Sequence, residues 1–90
     1  MSNPKPVLKP ECMELLSHHA QHLLRLMDGN PDLVEHQWYI SDSISMLKAG
    51  AGAELPLYHL EELQKILPKE SKLTAATFLL QQCIMYLHVI

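Results

Sequence analysis

The chain has 90 residues, of which 48% are apolar and 19% charged, and a formal net charge of -3 with the histidines neutral. That length holds one hydrophobic core and not two, and the composition excludes a disordered chain. The basic residues include a single arginine, Arg25, and lie scattered among acidic ones, so no stripe exists to neutralise phosphates and nucleic acid is not an expected partner.

Residues 1–9 read as an extended arm, because Pro4, Pro6 and Pro10 fix the backbone and forbid an early helix. Val7 and Leu8 give that arm two side chains able to pin it to the body. It contains no apolar signal core, which sets a cytoplasmic expectation with reduced thiols. The two cysteines, Cys12 and Cys83, are too few and too distant in sequence for a metal knuckle and are expected to pack as small apolar groups.

Residues 10–90 are expected to form a single all-α domain. The first helix spans about 10–27: Pro10 suits its start, Glu11 and Glu14 favour its positive end, and Leu16, Ala20, Leu23, Leu24 and Met27 make its buried stripe. Asp28-Gly29-Asn30-Pro31 then stops one helix and starts the next, with Gly29 left-handed and Asn30 as cap. The second helix spans about 31–48. Leu33, Gln37, Ile40, Ile44 and Leu47 share its inner face, and Ser41, Asp42, Ser43 and Ser45 are assigned to solvent. Its middle, Trp38-Tyr39-Ile40, has strand-like local propensity, but helical spacing on both sides outweighs it.

Ala49-Gly50-Ala51-Gly52-Ala53, with two glycines separated by alanine, permits a helix stop and a loose crossover. A short third helix over about 56–67 begins at Pro56, buries Leu57, Leu60, Leu63 and Leu67 with Ile66 beside them, and pairs Glu61 with Lys65. Pro68 ends it, and Ser71 caps a fourth helix over about 72–90. From Leu73 to Ile90 no residue is formally charged. Leu73, Ala76, Leu80, Cys83, Leu87 and Ile90 form one seam, Ala75, Phe78, Leu79, Tyr86 and Val89 a second, and Thr74, Thr77, Gln81 and His88 a thin polar edge. A helix so apolar all round requires cover on most of its surface, from its own chain or from a partner. Its two glutamines and its histidine argue against a membrane span. The fold expected is four helices in two antiparallel hairpins, a small bundle or irregular array with the C-terminal helix as core or interface.

Chemistry is sparsely signalled. His18 and His22 lie four apart and can face one way, but no third ligand is dictated by spacing, so no metal site is expected. There is no glycine-rich phosphate loop, and Glu61-Glu62 falls on a solvated face. A cysteine on an apolar seam is a packing residue before it is a nucleophile. No cofactor and no enzymatic activity are expected. A second helix bearing Asp32, Glu35 and Asp42 with no basic residue before Lys48 is unsuited to the major groove.

Four short helices cannot hide every large apolar residue of this chain, and a leftover apolar patch on a small protein marks an interaction site. The sequence therefore predicts a protein-binding module (adaptor, chaperone or sequestering regulator) that meets its partner helix on helix. Trp38, Tyr39, Tyr58, Met85 and Tyr86 are the candidate contact residues. A homodimer through residues 73–90 belongs to the same expectation. An inhibitor or immunity-type protein, whose acidic surface complements a basic target, is the alternative class, and a compact transcriptional regulator the remote one.

Overall fold

Four helices pack in sequence order around one aliphatic core in the computed structural model, which describes residues 10–89 and the side chains of 10–87. They are α1 (Pro10–Met27), α2 (Val34–Lys48), α3 (Glu54–Ile66) and α4 (Lys72–Val89). The described residues contain no strand. The expected arm at 1–9, with Val7 and Leu8, and the terminal Ile90 lie outside the described residues, as do the side chains of His88 and Val89.

The helix boundaries follow local chemistry. α1 stops where Gly29 takes φ 82°, a left-handed conformation that side-chain-bearing residues avoid. Asn30 Oδ1 accepts from the Asp32 amide at 3.1 Å, capping a 3-10 turn, Pro31–Leu33, that leads into α2. The regular α-helix therefore begins three residues later than Pro31, because the tighter turn comes first. Residues 38–40 are helical, so packing overrides their strand-like propensity.

The expected helix stop lies at Gly50, and the connection after it is short and not a loose crossover. Gly50, at φ 104°, donates its amide to Leu47 O at 3.1 Å, and Ala51 donates to Met46 O at 2.9 Å, which is the Schellman pattern. α3 starts at Glu54, two residues before Pro56; proline is tolerated there because first-turn amides have no partner within the helix. Ser71 Oγ accepts from the Thr74 amide at 3.0 Å at the start of α4.

α1 packs most extensively on α4 and α2 on α3, while the pairs α1/α2 and α3/α4 complete the ring. Small side chains on the buried faces, Ala20 of α1 and Ala76 and Cys83 of α4, permit a close approach of those two helices. Leu16, Leu23, Met27, Ile40, Leu60, Leu63, Leu80 and Ile84 fill the centre. Across the minor seams, Gln64 Nε2 donates to Gln81 Oε1 at 2.7 Å, and Gln37 Nε2 donates to Leu24 O at 3.5 Å.

Several expected faces turn out differently. Ser43 and Thr77, assigned to polar edges, are buried. Their hydroxyls donate to backbone carbonyls of their own helices, Ser43 to Ile40 O at 3.0 Å and Thr77 to Leu73 O at 2.7 Å, so neither enters the core unsatisfied. Ile66 is exposed, on the outward side of α3. Lys65 pairs with Glu62 at 2.9 Å and not with Glu61, using the i,i+3 geometry of the helix surface. α4 is one wall of the bundle and not its centre. Its seam through Ala76, Leu80, Cys83 and Leu87 is buried, while Ala75, Phe78, Leu79 and Tyr86 face outward.

Candidate protein-binding surface

Every aromatic side chain of the chain stands outside the core. Trp38 is 70% exposed, and Tyr39, Tyr58, Phe78 and Tyr86 are each at least 49% exposed. The centre is packed with aliphatic and methionine side chains. Aromatic residues are the largest apolar groups available and dominate core and interface energetics, so a core built without them has left them elsewhere for a reason of geometry or of use.

Three rings link α2 to α3. His59 stacks on Tyr39 with centroids 5.1 Å apart and 14° between planes, and meets Tyr58 edge-on at 5.5 Å. Trp38 adjoins Tyr39 in sequence and occupies the outer face of α2. Of the five expected contact residues, the structure thus joins Tyr39 and Tyr58 through His59, while Trp38 stands exposed on the outer face of α2. Met85 and Tyr86 are exposed on a different helix, α4, where they share an outward face with Phe78, Leu79 and Gln82. Tyr86 makes no ring contact with the α2/α3 cluster among the described residues.

Sequence reasoning missed His59, Leu55 and Ile66 on α3 as surface members, and Met46 of α2 stands exposed with them. Leu55, Ile66 and Met46 are exposed, and His59 is half-buried. One signal was available: His59 lies at helical spacing from both Leu55 and Ile66, off the stripe of Leu57, Leu60, Leu63 and Leu67.

The acidic charge of the chain is concentrated in the segment that carries α2 and α3. Between Pro31 and Ile66 there are six carboxylates against two lysines, whereas the remainder carries four against five basic residues. Glu35, Asp42, Glu54 and Glu61 are exposed. The Lys65–Glu62 contact is the sole ion pair among the described residues.

The other candidate sites hold less. His19 has its pKa lowered, by burial first and then by the neighbouring charges of His18 and His22. Burial, with a smaller contribution from Cys12, pushes the Cys83 thiol up, away from the reactive thiolate. No three His, Cys, Asp or Glu side chains converge on a metal-sized site among the described residues. A shallow open depression of about 440 Å³ lies between α1 and the end of α2, lined by Met13, Glu14, Ser17, His18, Gln21 and Lys48. No described helix is long and apolar enough to cross a membrane.

No protein-family model matches the chain, and neither a curated protein nor a solved structure matches it.

Proposed function

We propose that this protein is a small non-enzymatic interaction module that engages another protein through its exposed aromatic helical surface, as an adaptor, chaperone or sequestering regulator in the cytoplasm. The observation that carries this reading is the placement of all five aromatic residues outside a core that is already filled by aliphatic side chains. Tryptophan and tyrosine are enriched where partners dock, because a rigid ring offers much contact area at little entropic cost. The contact is helix on helix, since two adjacent helices present the rings.

A second reading, self-association through residues 73–90, has its own observation. The outward face of α4 presents Phe78, Leu79, Met85 and Tyr86, and after Lys72 that helix has no charged residue to repel a second copy.

A photo-crosslinking amino acid placed at Trp38, Tyr58, Gln82 or Gln21, in the cells that make the protein, separates these readings. The main reading expects adducts to one other protein from positions 38 and 58 and none from position 21 on α1. Adducts from position 82 to a second copy alone would establish the dimer in its place. Absence of adducts from both 38 and 58 would remove the proposed function.

A further inference from the structure

Resting on the reading of α2/α3 as the docking surface, we infer that its occupant is a basic amphipathic helix, a lysine- or arginine-rich segment with one apolar face. The shape comes from two lines of side chains. Tyr39 and Met46 lie seven residues apart, two turns along one side of α2. Leu55, His59 and Ile66 run along one side of α3 at spacings of four and seven. The Tyr39–His59 stack brings those two sides together, and so defines a shallow seam between the helices. Tyr39, Met46, Leu55 and Ile66 are all exposed in it. The span from Leu55 to Ile66 is about 16 Å, which accommodates roughly three turns of a docked helix.

The charge comes from carboxylates beside the exposed rings Trp38 and Tyr58. Trp38 lies between Glu35, three residues before it, and Asp42, four residues after it. Tyr58 lies between Glu54, four before, and Glu61, three after. At those spacings helix side chains are surface neighbours, so each exposed ring is bracketed by carboxylates one turn away on either side. All four carboxylates are exposed and none has an ion-pair partner among the described residues. An apolar seam with carboxylates beside its neighbouring rings complements an apolar stripe bordered by cations. Leucine-type side chains enter the seam, ammonium or guanidinium groups reach the carboxylates, and the same cations lie over the Trp38 and Tyr58 faces. The outward face of α4 lacks such carboxylates, and an acidic or neutral helix would gain no attraction from α2/α3.

The test uses the full chain and a synthetic helix of about 18 residues, long enough to cover the seam, with leucines on one face and lysines on the other. A control peptide carries glutamate in place of each lysine. Binding is read from Trp38 fluorescence and from the anisotropy of a labelled peptide. The lysine peptide is expected to bind, with affinity falling at least tenfold between about 50 mM and 500 mM salt as screening tightens, while the glutamate peptide does not bind.

The variant Glu35→Gln/Asp42→Asn/Glu54→Gln/Glu61→Gln should lose at least tenfold. The variant Glu11→Gln/Glu14→Gln/Asp28→Asn/Glu70→Gln, which removes as many exposed carboxylates elsewhere, should lose less than twofold. Equal losses in the two variants would reduce the effect to net charge and overturn the inference, as would equal binding of both peptides or failure of the lysine peptide to bind. These failures are distinguishable from failure of the docking surface itself, which the crosslinks from positions 38 and 58 report.

Discussion

The imidazole of His59 lies nearly parallel to the phenol ring of Tyr39, 5.1 Å between centroids, and this single contact ties the outer side of α3 to that of α2. Both side chains remain solvent-accessible, so the pair aligns the surface more than it supports the core. A double-mutant cycle of Tyr39→Ala and His59→Ala is expected to give a coupling of about 0.5–1 kcal/mol in urea unfolding, the range of aromatic pairs. A coupling of zero would mean that the rings adjoin without holding the helices in register.

Leu80 is fully buried on the inner face of α4. Leu80→Ala should cost about 2–5 kcal/mol through lost burial and the cavity left behind. Leu80→Asp should abolish the far-UV helical signal, because it places an unpaired carboxylate in the aliphatic centre. The corresponding outward variant, Leu79→Asp, should retain native helicity, since Leu79 is exposed. Equal effects at the two positions would show that α4 is rotated about its axis.

Acid should weaken the fold through His19. Its pKa is held below the usual imidazole value by burial and by His18 and His22, so the folded state binds its proton less readily than the unfolded chain does. Stability from this group is full above the unfolded value of about 6.5 and is lost as pH falls through that value toward the depressed one. The melting temperature of the wild type is expected to decline over that window, and His19→Gln should flatten the decline. An NMR titration placing the His19 midpoint at or above the ordinary histidine value would contradict the assignment.

Gly50 closes α2 with a left-handed backbone, and a Cβ there would meet open space. Gly50→Ala should therefore cost about 1 kcal/mol from backbone strain alone. Gly52→Ala, at a position without that conformation, should be neutral within about 0.5 kcal/mol in thermal unfolding. If both substitutions are neutral, the Schellman stop is not required for the chain to turn into α3.

The helices and their punctuation were legible because each signal is local. Gly29 and Gly50 mark stops, Asn30 and Ser71 mark starts, and the seam of Leu73, Ala76, Leu80, Cys83 and Leu87 proved to be the inward face of α4. The exposed aromatic residues were legible as a surplus of large apolar groups. What the pattern could not supply was the side on which that surplus would lie. A helix apolar all round does not declare which stripe turns inward until its neighbours are fixed, and so the stripe of Phe78 and Leu79 could not be assigned to the core or to the surface. Ser43 and Thr77 misled for another reason: a hydroxyl bonded to a carbonyl of its own helix behaves as a small core residue, and composition alone does not reveal that bond. The pairing of Tyr39 with His59 depends on how α2 and α3 are rotated and staggered, which no spacing within one helix encodes.

Trp38 is the chain's single tryptophan, so its fluorescence reads one place on the surface. Emission and acrylamide quenching, measured on dilute protein whose light-scattering mass is that of a monomer, test most directly whether the aromatic surface is held ready outside the core. The account predicts emission at the wavelength of tryptophan in water and near-complete quenching, with Trp38→Ala leaving the urea midpoint almost unchanged. Blue-shifted, quencher-resistant emission from that monomer, together with a large loss of stability in Trp38→Ala, would place the indole in the core and contradict the account.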